Sequence, residues 1–403
     1  MIGIGLCFYL MLFSAQFGLS RLLARYGVTA MSLPATTEAI RLAPFDADAH
    51  RAQATVFRNL QMYQEARREL EVATSLRPHD DYLWLELGMM RDQVDDTQGA
   101  LTAFDQAVVN APFYAHTRWQ RANLRLRLGR YDEAFAELRA AANTNRQFLP
   151  TLIDLAWNLS DQNAQVTEQL AGIQSTAAHV EFARYLAKLG KGKETLDQFR
   201  LVATAVAPPY KNELVRGLVA AKQFSEAFEI WRYAGSDVSV EASTVYDGGF
   251  EGPISYNEVG FGWRIRNDPK LDVSQDGSVR ETGTRSLRII FNGHSATPDA
   301  IVSQLMLVRA QARYRMNFAV KSERLVTGSP LVLEVTDAVK NQTLKEFEIA
   351  QESFWQRESF EFATPNGNTA IELRLIRKGC SSGPCQIFGT LWLDSFSIEQ
   401  IPQ

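Results

Sequence analysis

Between Ala47 and Arg146 the small and bulky apolar positions return at a fixed interval. Ala66, Ala100 and Ala134 recur at equal spacing, and four residues after each comes a large apolar side chain: Leu70, Phe104 and Leu138. Three further on come Ala73, Ala107 and Ala141, then Pro78 and Pro112 five residues later, the pattern lapsing at Arg146. A constant interval of about 34 residues predicts stacked helix–turn–helix units, each too small to bury its own apolar face. The alanines let two helices approach closely, the Leu or Phe fills the space between hairpins, and the proline ends the second helix. Ala39 and Pro44 precede Ala73 and Pro78 by the same interval, so residues 32–43 read as the second helix of a partial unit.

Beyond Arg146 the interval decays but helical spacing persists. Leu152, Leu155, Ala156 and Leu159 fall at i, i+3, i+4 and i+7, as do Phe182, Tyr185, Leu186 and Leu189, the latter closed by Gly190 as a C-cap. KQFSEAFEIWRYAG (Lys222 to Gly235) echoes RYDEAFAELRAA of the third unit, which extends divergent hairpins to about Ala234. From Gly235 on, alternating segments take over: SLRIIF, YRMNFAV, LVLEVTD, SFEFAT, AIELRLIR and TLWLDSFSIE, separated by Gly, Pro, Asn and Asp. Short strands at regular spacing with one alternating face predict an antiparallel β-sandwich.

At the other end, Ile2 to Leu19 is an apolar run without charge. At ~1.5 Å per residue it is just long enough to cross a bilayer as a helix. It reads as a membrane anchor, with Arg21 and Arg25 as an interfacial collar; a cleaved signal peptide and a helix buried on the first repeat are the alternatives. The expected organisation is therefore a hydrophobic anchor or signal segment over 1–27, helical repeats over 30–235 (clearest over 47–146, divergent over 147–235), and a sandwich over 246–401. The fold class is multidomain, α then β.

The second repeat carries a family resemblance. Trp84, Leu87, Gly88, Ala100, Phe104, Ala107 and Pro112 match the pattern W-x2-L-G…A-x3-F-x2-A…P at every spacing, so the helical region resembles tetratricopeptide repeats (TPR). Its neighbours match more loosely, through Ala54, Ala66, Leu70, Ala73 and Pro78 on one side and Ala122, Gly129, Tyr131, Ala134 and Leu138 on the other. The third unit departs: Trp119 comes one position later than the interval from Trp84 requires, and Arg118, Arg121 and Arg125 take inward positions. Either the helix has rotated by one residue, or those arginines snorkel from a half-buried face. The resemblance implies a groove for a protein partner, lined by Arg51, Thr55, Arg58, Tyr82, Met89, Trp119, Asn123 and Arg127. Each of these reads equally as an ordinary solvated helix residue. The basic clamp that some TPR domains close on a terminal carboxylate is incomplete, with Glu86 and Met89 where the second unit would contribute.

The C-terminal part has its own landmarks, in order YDGGFEGP (Tyr246 to Pro253), GFGWRI, GTRSLRIIF, QLMLVRAQARYRMNFAVKS and LWLDSFSIE. Together they resemble carbohydrate-binding modules of the galactose-binding-like jelly-roll type. That resemblance implies a structural calcium held between the opening segment and the last strand, where Glu251 and Asp394 occupy the matching places; pairing with arginine or capping a turn explains them as well. It also implies sugar stacking on aromatic faces, with Trp355, Trp263, Trp392, Tyr256 and Tyr314 as candidates, against the ordinary role of sandwich aromatics as core. Trp355 leads because SFWQRESF sets it among polar neighbours beside a turn.

Cys380 and Cys385 bracket SSGP. A disulfide there closes a short loop and implies an oxidising, extracytoplasmic compartment, the periplasm or cell surface, whereas a C-x4-C without a partner pair is a poor zinc site. Arg21 and Arg25, following the run with no basic residue before it, favour the opposite orientation.

The chain has 403 residues, 46% hydrophobic and 22% charged, with a net charge of −4 that gives no basic face for nucleic acid. His50, His79, His116, His179 and His294 show no metal spacing, and no nucleophile elbow or phosphate loop is present. Glu334, Glu348, Glu361 and Glu372 alternate on strands as solvated faces do, and no catalytic residue or required cofactor is expected. The order of segments implies a membrane-anchored bacterial envelope scaffold. Its repeats would dock a protein partner and its sandwich would bind polysaccharide, in surface-polysaccharide assembly or export. The alternative is a protein–protein scaffold whose sandwich is structural or binds protein.

Overall fold

The computed structural model describes residues 2–233, 242–295, 299–379 and 386–402, without the side chains of residues 2–9, 12, 294 and 295. Cys380 and Cys385, and with them the expected disulfide, lie outside the described residues. The chain divides into two compact units, Met1–Ile173 and Gln174–Gln403.

The first unit is built of helices packed in consecutive pairs: α1 (Ile2–Ala30) on α2 (Leu33–Leu42), α3 (Ala47–Asn59) on α4 (Tyr63–Leu76), and α5 (Asp81–Gln93) on α6 (Thr97–Asn110). The pairs α7 (Ala115–Arg127) with α8 (Tyr131–Thr144) and α9 (Leu149–Leu159) with α10 (Ala164–Ala171) follow. Asp46, Asp80, Asp96 and Asn163 cap α3, α5, α6 and α10 by accepting backbone N–H bonds. The repeat interval is a packing interval: Ala39, Ala73, Ala107 and Ala141 are all fully buried, as are Ala66, Ala100 and Ala134. Gly88 shows why the partner position must be small, since a Cβ there would fall 2.5 Å from the Phe104 ring.

Two readings of the sequence change here. The unit before Ala47 is complete, because the last turns of α1 supply its first helix. Ser20 is buried and donates its hydroxyl to the Ala39 carbonyl at 2.8 Å, and Ala24 joins Ala39, Ala49 and Ala52 in one apolar cluster. Ser20 precedes Ala54 by one full interval, so a small side chain holds the same place in four successive units, through Gly88 and Ala122. Arg21 and Arg25 therefore belong to a repeat helix. Among the described residues no helix is long and apolar enough to cross a membrane; the side chains of residues 2–9 and 12, half of the expected anchor over 2–19, lie outside them.

The third unit is not rotated. Trp84 donates its indole N–H to the Pro78 carbonyl at 2.8 Å, and Arg118, one interval later, donates its Nε–H to the Pro112 carbonyl at 2.8 Å. Arg118 and Arg121 both reach Glu137, at 3.0 and 2.6 Å, and Arg121 also reaches Asp105 at 2.8 Å. The inward arginines are thus held by carboxylates between α7 and α8. Burial works against the charge on Glu137, but hydrogen bonds and attraction from Arg121 and Arg118 outweigh it and keep its carboxyl below the ordinary range.

The second unit contains α11 (Thr176–Lys188), α12 (Gly192–Val202), α13 (Pro208–Ala220) and α14 (Phe224–Tyr233), followed by two five-stranded antiparallel sheets. In one, β1 (Arg264–Ile265), β4 (Val302–Leu307), β9 (Ala370–Arg377), β6 (Leu331–Asp337) and β7 (Gln342–Glu348) lie in that order. In the other the order is β2 (Leu271–Asp276), β3 (Ser286–Ser295), β10 (Gln386–Ile401), β5 (Arg313–Thr327) and β8 (Ser353–Ala363). Leu287, Ile289, Phe291, Met316, Leu391 and Leu393 from the second sheet meet Leu333, Leu373 and Leu375 from the first in a shared core.

Among the described residues the last helix ends at Tyr233 and the first strand begins at Arg264, but helices and sandwich share one compact unit. Phe199, Leu218 and Phe228 cluster with Phe261, Leu305 and Ala370. Trp231 donates its indole N–H to Glu258 at 3.0 Å, and Glu258 also accepts the Gly260 N–H at 2.7 Å. Only glycine fits at 260, where a Cβ would fall 2.3 Å from the Trp231 ring.

Candidate functional site

The pleat of the second sheet sorts its aromatics. Leu391 and Leu393 of β10 point into the core, so Trp392 between them points outward. Directly opposite Trp392 stand Lys321 on β5 and Arg288 on β3. Gln356 of β8 pairs with Val320, and Trp355 and Lys321 are the next positions on the two strands. Lys321, Trp392 and Arg288 therefore form a row across three adjacent strands on the outer face, while Trp355 lies on the neighbouring β8 at the register shift between the Val320–Gln356 and Ser322–Ser353 pairs. The Lys321 Nζ lies 4.8 Å from the centre of the Trp392 ring. Only 6% of Trp392 is exposed, and its indole N–H is donated to Asp276 at 3.0 Å. Burial would raise the Asp276 carboxyl, but that indole and the N–H groups of Ser278 and Val279 outweigh it and lower it.

Beside this row a cavity of about 650 Å³ opens, lined among others by Asn317, Arg357, Ser359 and Ser397. Asn317 pairs with Ser397 and with Ser359, which puts these side chains on the same outward face as Trp392. Trp392 lies under Lys321 and offers no open face, whereas the partly exposed Trp355 near this polar depression can stack a ring whose hydroxyls the depression fixes.

The other aromatic candidates lie elsewhere. Tyr314 is 1% exposed, stacks on Phe362 and takes the Arg309 N–H on its hydroxyl, so no ring face is left for a sugar. Trp263 packs between Phe250 and Phe396 and donates to the Asp247 carbonyl, which closes the sandwich end as core. Tyr256 is half-exposed and donates its hydroxyl to the Val273 carbonyl at 2.7 Å, on a loop away from the row.

Glu251 and Asp394 come together. A Cβ on Gly249 would sit 3.9 Å from a carboxylate oxygen of each, so Gly249 leaves open the space between them. Asp394 is buried and accepts the N–H groups of Glu281 and Thr282 at 2.9 and 3.1 Å, while Glu251 accepts those of Thr284 and Arg285 at 2.7 and 3.3 Å. Hydrogen bonds from Thr284 hold the Glu251 carboxyl below its usual range. Among the described residues no three His, Cys, Asp or Glu cluster to hold a metal. The oxygens of both carboxylates thus accept backbone N–H groups, Asp394 also that of Ser395 at 2.6 Å, as residues that cap a turn do.

In the first unit the groove candidates divide. Arg51, Arg58 and Tyr82 line one cavity of about 460 Å³, together with Arg21 and Arg25 of α1. Sequence reasoning missed those two arginines; the buried Ser20, one interval before Ala54, was the available signal. Thr55 lines the same cavity. Met89 is partly buried and packs between hairpins. Trp119 stacks on Phe148 at 4.7 Å, Arg127 pairs with Asp92 at 2.7 Å, and Asn123 is half-buried on the same helix as both.

No protein-family model matches the chain. FlbA of Caulobacter vibrioides is 32% identical over 98 residues, which are 24% of this chain. The chain spans only 16% of the length of that curated relative. Among solved structures, the TPR domain of Arabidopsis OM64 is 21% identical and covered over 98% of its length by 28% of this chain, with a TM-score of 0.27. The CBM22-1 xylan-binding domain of Paenibacillus barcinonensis Xyn10C is 14% identical and covered over 99% of its length by 41% of this chain, with a TM-score of 0.28. In its helices the chain resembles tetratricopeptide-repeat proteins, and in its sandwich it resembles carbohydrate-binding modules.

Proposed function

We propose that this chain is a non-enzymatic scaffold whose repeats dock a protein partner and whose sandwich binds polysaccharide. The observation that carries the second half is the partly exposed Trp355 of β8, two positions before Arg357, which lines the polar cavity with Asn317, Ser359 and Ser397. Stacking a pyranose on an aromatic face contributes about 1 kcal/mol beyond burial. Calcium between Glu251 and Asp394 would tie the opening segment to β10 and hold the end of the sandwich. The charge-free run over 2–19 and the Cys380–Cys385 pair support an anchored envelope protein with its soluble part outside the cytoplasm, acting in surface-polysaccharide assembly or export. Cysteine labelling in intact cells tests that placement: labelling of an engineered surface cysteine only after lysis rejects it.

Affinity electrophoresis of the full chain tests the sugar reading. Retardation by a polysaccharide, reduced about tenfold in apparent affinity by Trp355→Ala, supports it. No retardation by any of a panel of neutral and acidic polysaccharides rejects it. A protein-binding sandwich is favoured by one feature: Val326 and Phe388 are direct partners across β5 and β10 and are 67% and 47% exposed. Val326→Ser would then weaken partner capture while Trp355→Ala leaves it unchanged.

A further inference from the structure

The cavity between α1, α3 and α5 has a charge balance that identifies a partner. Arg21, Arg25, Arg51 and Arg58 line it against only two carboxylates, Asp48 and Glu86. Glu86 is 4% exposed and already engaged by Arg51 at 2.8 Å and Arg58 at 3.7 Å. Asp48 is shared between Arg21 at 3.7 Å and Arg77 at 2.8 Å, and the same two arginines reach the buried Asp46 at 3.4 and 3.2 Å. Arg25 is exposed and has no carboxylate within ion-pair distance among the described residues. The cavity therefore keeps an excess of guanidinium groups after its internal pairs are counted.

Its remaining wall is apolar. Ala24, Val28 and Ala52 line it, and the Tyr82 ring, 41% exposed, is held under the Arg51 guanidinium at 4.4 Å. A bare inorganic anion would leave this surface wet. An extended peptide offers both halves, carboxylates for the planar guanidinium forks and aliphatic side chains for the wall. We infer that this groove takes an acidic peptide segment of a protein partner, with Arg25 as the cation left free to receive it. The inference rests on the reading that the repeats dock a partner, and adds the chemistry of that partner.

Fluorescence anisotropy of the full chain tests it, using a short labelled peptide of alternating Glu and Leu and its counterpart with Gln in place of Glu. The Glu peptide should bind about tenfold more tightly than the Gln peptide, and added salt should erode the difference. Arg25→Ala should weaken the Glu peptide several-fold, while Arg68→Ala, on the exposed face of α4, leaves it unchanged. Both arginines are exposed, so neither change threatens folding. Equal binding of the two peptides overturns the inference; if Tyr82→Ala then weakens both, docking in the groove survives and only its charge preference falls. Failure of the Glu peptide to bind overturns it, and phosphatidylglycerol vesicles bound in an Arg25-dependent way would then assign the cavity to a membrane headgroup.

Discussion

Arg118 stands where Trp84 stands one repeat earlier, and each donates an N–H to the carbonyl of the proline six residues before it, both at 2.8 Å. His50, one further repeat back, places Nε2 3.0 Å from the Pro44 carbonyl. His50 and Arg118 also share a second contact, with the carboxylate nineteen residues on: Glu69 at 2.7 Å and Glu137 at 3.0 Å. Three chemically different side chains thus pin the turn between hairpins at one structural position.

At His50 this position is pH-dependent. Burial opposes the charge, but Glu69 and the Pro44 carbonyl outweigh it and raise the imidazole above its usual value. Both ring nitrogens face acceptors, which favours the doubly protonated ring. The sign follows: the stabilisation is fully present below the ordinary His value of about 6.5 and is lost as pH rises through the raised folded value. Denaturant unfolding should show stability falling across that window, and His50→Gln should remove the fall. An unchanged pH profile in His50→Gln contradicts the assignment.

The interval itself can be challenged at Gly88. An added Cβ meets the Phe104 ring at 2.5 Å, so Gly88→Ala should cost about 1–3 kcal/mol by overpacking even though alanine is the better helix former. Pairing it with Phe104→Leu should restore part of the loss, as a shared contact demands. Stabilisation by Gly88→Ala alone would mean that the hairpins do not nest as described.

On the sandwich, a sugar that stacks on Trp392 must first displace the Lys321 ammonium from its face. Such a cation–π contact contributes about 0.5–1 kcal/mol, so Lys321→Ala should strengthen retardation by a neutral polysaccharide about two- to fivefold. Weaker retardation would make Lys321 a contact to the ligand.

Calcium offers a test of the Glu251–Asp394 pair. An ion that binds only the folded state stabilises it by mass action, by about 2.7 kcal/mol at a hundred times its dissociation constant. Calorimetry should show the transition of the second unit rising with calcium and returning with chelator, and Glu251→Gln should remove the response. Glu251 is the residue to change, since it is exposed whereas Asp394 is buried, and glutamine keeps an oxygen to accept the Thr284 and Arg285 N–H groups. No calcium response in the unaltered chain rejects the site.

What could be read in the residues was what repeats or alternates. Ala66, Ala100 and Ala134 declared the hairpins because each must be small, and LVLEVTD declared β6 because all of its positions are buried. The first hairpin was hidden because its small residue is Ser20, inside a stretch whose hydropathy resembles a membrane span. β7 was hidden because QTLKEFE is an edge strand with no buried position to mark it. The arginines of α7 left a rotated helix and a snorkelling face both open because the compensating Glu137 and Asp105 lie on other helices, and no local pattern shows a charge paired across a hairpin. Among the aromatics, composition separated nothing: Tyr314 and Trp392 both lie on strands, and only strand pairing shows that one faces the core and the other the outer surface.

Amide hydrogen exchange on the full chain, alone and with each ligand, addresses the claim that two surfaces recognise two kinds of molecule. A polysaccharide that retards the chain should slow exchange in β5, β8 and β10 and leave α1, α3 and α5 unchanged, whereas the Glu–Leu peptide should do the reverse. Protection of the same segments by both ligands, or protection by neither, would contradict the account.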